Sequence, residues 1–173
     1  AHKLKEGDEI IQQVETRNNV EALFFTDKQQ VYKVRLNELE DGKVAQMGIF
    51  IPGRLGMDEG ESVMGMVLPG DYSGYMIFFF ENGKVARVAL SAYQTQTRRK
   101  KLTGAYSDKS PLAAACLLTE DTEMAVTSTE GRVVVFHTAA LTPKKGGVGA
   151  VTTAVLMAHT VEAAMRKCGL EEV

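Results

Sequence analysis

Three stretches of the chain share one pattern of apolar and polar positions. Residues 22–39 read ALFFTDKQQVYKVRLNEL, residues 76–93 MIFFFENGKVARVALSAY, and residues 124–141 MAVTSTEGRVVVFHTAAL, aligning without a gap over eighteen positions. Val31, Val85 and Val133 share a column, as do Val34, Val88 and Phe136, and Leu39, Tyr93 and Leu141. In each block an apolar run meets a short polar break and a second run follows, which predicts a β-hairpin. Asn82-Gly83 predicts a type I′ turn, because both residues tolerate positive φ. The first block has Lys28 and Gln29 where the third has Glu130 and Gly131. Without glycine, a residue near Gln29 is expected at positive φ at a cost of about 1 kcal/mol, unless the turn changes type.

The block starts lie 54 and 48 residues apart, a period near fifty that predicts a propeller or a related repeat array. Segments ahead of the blocks repeat as well: residues 8–15 (DEIIQQVE), 61–68 (ESVMGMVL) and 110–117 (SPLAAACL). A fourth copy falls at 160–167 (TVEAAMRK), where the repeat register says strand and local propensity says helix. Residues 3–8 (KLKEGD) echo 57–61 (MDEGE), so the chain is expected to enter mid-array. The expected architecture is all-β: one domain over 1–173, with repeats at about 9–60, 61–109 and 110–159 and a terminal strand or tail at 160–173. That makes about three complete blades plus terminal strands, forming an open arc or pairing its terminal strands with another copy.

Charge adds a second periodicity. Each hairpin is followed by a basic element, then glycine, then apolar residues: GKVAQMGIFI from Gly42, TRRKKLTGAY from Thr97 and PKKGGVGAV from Pro143. The candidate polyanion contacts are therefore Lys43, then Arg98, Arg99, Lys100 and Lys101, then Lys144 and Lys145. Lys84 and Arg87 join them from the second hairpin, and Lys33 and Arg35 from the first. Lys33 and Arg35 alternate with Tyr32, Val34 and Leu36, which places the two cations together on a face that reads as solvated. From residue 84 to 109 seven basic residues meet one acid, Asp108, a local charge of +6 within a net charge of −2, leaving −8 elsewhere. Four adjacent cations at 98–101 repel one another unless something compensates them.

The remaining composition mainly excludes. An apolar content of 45% is enough for a core and argues against disorder. No apolar run approaches the roughly 20 residues that cross a bilayer, and the first ten residues lack the apolar centre of a signal peptide, so a soluble cytoplasmic protein without a membrane partner is expected. Cys116 and Cys168 form no CxxC pattern, and Cys116 in LAAACLL reads as core. Phosphate-loop, dinucleotide-binding, zinc-protease and nucleophile-elbow motifs are absent, and His2, His137 and His159 are scattered. No cofactor, metal or catalytic residue is therefore assigned to the chain.

The unit hhFhTxxGxVhrhxxxxh, followed by a basic loop and xEGDxh, resembles the β-pinwheel repeat in the C-terminal domain of DNA gyrase A and its topoisomerase IV counterpart. The likeness covers nearly the whole chain and is clearest in ALFFTDKQQVYKV, MIFFFENGKVARV and TRRKKLTGAYSDKS. It implies a disc-like all-β array whose outer surface binds and bends duplex DNA without reading sequence. It also implies a nucleoid-associated bacterial setting, with the cleavage core and ATPase subunit of an ATP-dependent type II topoisomerase as partners. The strand-cleaving tyrosine of that family belongs to the core, so no tyrosine here inherits the role. Two departures qualify the likeness. The gyrase heptapeptide QRRGGKG is missing, its nearest candidates being GKVAQMG from Gly42 and KKGGVG from Lys144, and three units stand where five or six are common. A topoisomerase IV-like or weakly wrapping module is the expectation. The alternative is a propeller-like protein-interaction module, although WD and kelch versions are poor because Trp is absent.

Overall fold

In the run Met76-Ile77-Phe78-Phe79-Phe80 every side chain is buried, and alternate residues serve different cores. Met76, Phe78 and Phe80 pack toward the first hairpin, against Leu23, Phe25 and Val31. Ile77 and Phe79 pack toward the third, against Val126 and Leu141. A strand has a side-chain period of two, so a sheet covered on both faces reads as a continuous apolar run. The middle hairpin is the centre of a stack.

The structure, a computed structural model, describes residues 6, 7, 9–39, 41–43, 47–95, 99–128 and 131–141. The first sheet has four strands in the order β3 (Val63–Val67), β1 (Glu21–Thr26), β2 (Gln30–Arg35), β6 (Lys101–Thr103). The second runs β5 (Val85–Ala89), β4 (Tyr75–Phe80), β7 (Leu112–Leu118), and the third pairs β8 (Glu123–Thr127) with β9 (Val133–His137). All these pairings are antiparallel. The fold is all-β: among the described residues the only α-helix is α1 (Ile51–Leu55). Short 3-10 turns follow each hairpin at Leu36–Glu38, Leu90–Tyr93 and Thr138–Ala140. The same backbone bond precedes each: Leu36 N–H to Val20 at 3.0 Å, Leu90 N–H to Gly74 at 3.0 Å, and Thr138 N–H to Thr122 at 2.8 Å.

The sheets do not coincide with contiguous sequence units. β3 and β7 each pair with the first strand of the hairpin before them, while β6, which follows the second hairpin, joins β2 of the first. Residues 9–15, the counterpart of β3 and β7, have no such hairpin among the described residues and are not in a strand. Instead the Gln12 side-chain amide donates to the Met66 carbonyl (2.8 Å) and accepts from its N–H (3.1 Å), occupying the free edge of β3. Residues 160–167 lie outside the described residues.

Two sequence readings are corrected here. Gly83 has φ 75 and Gly131 φ 77, as the hairpin reading requires, but Asn82 is not at positive φ. Gly83 N–H bonds to the Phe80 carbonyl (2.9 Å) and Phe80 N–H to the Lys84 carbonyl (3.0 Å). The loop is thus a three-residue turn closed by a left-handed glycine, not a type I′ pair. Gln29, at φ 55, takes the left-handed place in the first hairpin without glycine.

The second correction concerns the face that reads as solvated. Lys33 is buried, because its face of β2 is covered by the second unit. Its Nζ donates to the Tyr93 carbonyl (3.3 Å) and to Thr95 Oγ1 (3.1 Å), lies 3.6 Å from the Glu21 carboxylate, and sits over the Tyr72 ring. Arg87, in the same alignment column, repeats the arrangement one unit on. It donates to the Thr138 carbonyl (2.9 Å), pairs with Asp121 (2.8 Å), and stacks 3.6 Å above the Tyr75 ring. Each of these two hairpins is clipped to the next by one buried cation. The third block has Val135 in that column, exposed like Val133.

Cys116 is buried in the second core, as read from LAAACLL. No helix among the described residues is long and apolar enough to cross a membrane.

Candidate nucleic-acid interface

The basic run after the second hairpin continues directly into β6, the outermost strand of the first sheet. Its register, Gln30 with Thr103, Val31 with Leu102 and Tyr32 with Lys101, fixes which cations stand on the edge. Lys33 N–H extends the ladder to the Lys100 carbonyl at 2.7 Å. Arg99 and Lys100 are exposed, and Lys101 is half-buried.

Two carboxylates of the first unit compensate this run. Lys100 Nζ lies 2.7 Å from Glu38, and Lys101 Nζ lies 2.9 Å from both carboxylate oxygens of Asp58 and over the Tyr32 ring. The Lys100 hydrogen bond is the main cause holding the Glu38 carboxyl below its ordinary range, with Arg54 and Arg35 acting in the same direction. Asp58 is held low first by the Gln30 amide, then by Lys101, with Lys28 contributing. The Asp58 hydrogen bond in turn raises the Lys101 ammonium.

Lys100 thus pairs with the Glu38 carboxylate, while Arg54 and Arg35 act on it through their charge alone. Arg35 comes from the end of β2, and Arg54 from α1, where its guanidinium donates to the Glu38 carbonyl at 2.7 Å. The helix itself follows from Pro52 in its first turn and Gly56, at φ 63, as its left-handed end. Ile51 and Leu55 dock it on the apolar cluster of Phe24, Val34, Leu36 and Leu39. Lys28, in the first hairpin turn, donates to the Glu59 carbonyl at 2.6 Å.

Beneath this edge lies a buried polar anchor. Glu61, from the MDEGE stretch, accepts from the Thr26 hydroxyl, from the Tyr32 hydroxyl (2.8 Å) and from Asp58 N–H (2.9 Å). It ties the first hairpin to the loop that carries Asp58.

The structure thus brings together Arg35, Arg99, Lys100 and Lys101 and separates them from Lys33 and Arg87, whose charges are spent inside the fold. Lys84 sits half-buried in the second turn and Lys43 is exposed. Arg98, Lys144 and Lys145 lie outside the described residues. Sequence reading missed Arg54 and Lys28; the Pro52-Gly53 pair with Gly56 four residues after Pro52 was the available sign of a capped turn presenting Arg54. Among the described residues, no three His, Cys, Asp or Glu side chains converge as a metal site requires.

No family model matches the chain. Over 131 residues it is 28% identical to the DNA gyrase A protein of Mycoplasma pneumoniae, an alignment covering 75% of this chain and 16% of that protein. Over 141 residues it is 23% identical to the DNA gyrase A protein of Staphylococcus aureus, covering 80% and 16%. The chain thus spans about a sixth of the length of these curated relatives. Among solved structures it resembles the C-terminal domain of DNA topoisomerase IV with a TM-score of 0.74 at 23% identity, covering 87% of this chain and 47% of that one. The E. coli ParC C-terminal domain gives 0.64 at 16% identity over 87% and 60%, and the DNA gyrase A C-terminal domain 0.55 at 17% over 87% and 49%. The resemblance read from the repeated hairpins is borne out, and the fold is the β-pinwheel of these domains.

Proposed function

We propose that the chain is a DNA-binding and DNA-bending accessory domain of a bacterial type II topoisomerase, of the gyrase A or topoisomerase IV A kind. One observation carries this reading: Arg99 and Lys100, which lead into the outermost strand, and Lys101, which begins it, lie near Arg35 and Arg54 of another sequence unit at one edge of the array. Phosphates repeat along a duplex, and exposed cations fixed on a rigid strand neutralise them and release counterions. The contacts position a duplex without reading bases. The sequence also offers Lys84, Lys43, Arg98, Lys144 and Lys145 as further phosphate contacts.

In this reading the chain carries no catalytic residue. It holds a bent duplex segment near a cleavage core that acts with an ATPase subunit in the cytoplasm, at the nucleoid. Titration of random-sequence duplex at several salt concentrations tests it: binding should weaken steeply as salt rises. Salt-independent or absent binding overturns the proposal and favours a protein-interaction module.

A further inference from the structure

Phe50 is the most exposed large apolar side chain among the described residues, 76% accessible. Five other exposed apolar groups have an architectural account. Val133 and Val135 occupy the columns that are buried under the following unit at Val31, Lys33, Val85 and Arg87, and Ile10, Ile11 and Val14 lie in the counterpart of β3 and β7. Met47, Ile49 and Phe50, the exposed apolar groups that lead into α1, have no such account, and Phe50 is the largest and most exposed of them. Helix α1 already docks through Ile51 and Leu55, so folding does not require an aromatic ring on its outer side.

The ring is also supported. A Cβ placed on Gly53 would come within 3.2 Å of Phe50 Cδ1, so the phenyl leans against bare backbone. The Phe50 carbonyl accepts from Arg54 N–H at 3.0 Å, so the two residues are one helical turn apart along the backbone. Through Glu38, Arg54 adjoins Lys100 and Arg35. The most exposed apolar group among the described residues therefore adjoins Arg54, which shares Glu38 with Lys100. Cations beside an exposed apolar run match a polyanion with an apolar interior, and Phe50, the largest side chain of that run, is the one bonded through its carbonyl to Arg54.

We propose that Phe50 is a wedge that inserts at a base step of bound duplex DNA while Arg54, Lys100 and Arg35 hold the flanking phosphates. Partial unstacking by an apolar side chain kinks a duplex and lets more of it lie along the protein. The inference rests on the DNA-binding reading above and adds to it the place where the duplex bends. Because pyrimidine–purine steps unstack most easily, the wedge favours TA or CA steps without a base-specific hydrogen bond.

The test uses a duplex with 2-aminopurine at a central TA step and a fluorophore pair at its ends. Wild-type protein should raise 2-aminopurine emission and shorten the end-to-end distance. Phe50→Ala should lose both signals and the preference for a TA-centred duplex, while keeping the melting temperature and the slope of log K against log salt. Phe50→Leu should retain part of each signal. If Phe50→Ala binds and still bends and unstacks the duplex like wild type, the wedge is overturned and the DNA-binding reading stands. If instead it converts a self-associated wild-type protein to monomer, Phe50 belongs to a protein contact and the wedge is again overturned. Absence of wild-type binding removes both proposals. The double variant Arg99→Ala/Lys100→Ala separates the two: it should flatten the salt slope by up to about 1.8, at ~0.9 for each lost phosphate contact.

Discussion

The Tyr106 hydroxyl straddles the backbone beside Gln29: it donates to the Thr26 carbonyl and accepts from Gln29 N–H at 3.2 Å. Ala105 N–H adds a bond to the Gln29 carbonyl at 2.8 Å. A left-handed glutamine is thus braced by the following sequence unit, and burial lifts the Tyr106 phenol to about 12, so it remains a donor at neutral pH. Tyr106→Phe leaves the Thr26 carbonyl and Gln29 N–H without this partner and should cost about 1–3 kcal/mol in denaturant melts. Gln29→Gly should be neutral or stabilising by up to about 1 kcal/mol, since glycine adopts φ 55 without strain. Equal stability of Tyr106→Phe and wild type would contradict the brace.

Glu61 accepts three hydrogen bonds while buried. Glu61→Ala leaves the Thr26 and Tyr32 hydroxyls only the longer bonds to Gln30, at 3.4 and 3.3 Å, and should destabilise by about 1–3 kcal/mol. The second unit does without the carboxylate, with Phe80 in the Thr26 column and Ser110 in the Glu61 column. The double change Thr26→Val/Glu61→Gln should consequently cost less than the sum of its single variants, a coupling read from a double-mutant melt.

Arg87→Ala removes a buried cation, its packing on Tyr75 and the partner of Asp121, and should cost about 3 kcal/mol. Arg87→Met should be milder, because Arg87 Nε is buried without a hydrogen-bond partner among the described residues and methionine keeps the packing. Neither variant, if folded, should change the salt slope for duplex DNA. A flattened slope with Arg87→Met would return that residue to the binding surface.

On the outer edge the effect reverses. Replacing Arg98, Arg99, Lys100 and Lys101 together should flatten the salt slope by up to about 3.6, with little change in stability. Glu38→Gln and Asp58→Asn should raise affinity, since Lys100 and Lys101 then meet phosphates without competing carboxylates. Isothermal titration at two salt concentrations checks both signs; unchanged affinity in the carboxylate variants would mean that the acids do not compete.

Asp121 is held low by the Thr138 hydroxyl first and by Arg87 next. A carboxyl depressed in the folded state contributes stability above the ordinary aspartate range and loses it as pH falls through the lowered value. Melting temperature should therefore hold from neutral pH to about pH 5 and drop below about pH 4. Asp121→Asn should lower the plateau and shrink the acid drop. An undiminished drop in that variant would assign the acid sensitivity elsewhere.

The hairpins were legible because period-two burial and turn glycines are local properties, and the repeat exposed even the left-handed Gln29. The fate of Lys33 and Arg87 was not. Alternation reports that two faces differ, and a cation facing the next unit reads like one facing water. Helix α1 was hidden for a related reason: Pro52 and Gly53 interrupt the repeat, and the partner that gives Arg54 its place, Glu38, is distant in sequence. Glu61 looked like loop composition because its three donors come from hydroxyls and a backbone group that carry no charge signal.

The exchange of β6 onto β2 has a mechanical consequence. A pull on Lys101 from outside loads the Val31–Leu102 and Tyr32–Lys101 rungs in shear, so the force enters the first sheet although the residue belongs in sequence to the second unit. Rungs in shear share a load, whereas rungs peeled from one end fail in turn. Tension applied at one unit is thereby carried by the neighbour as well.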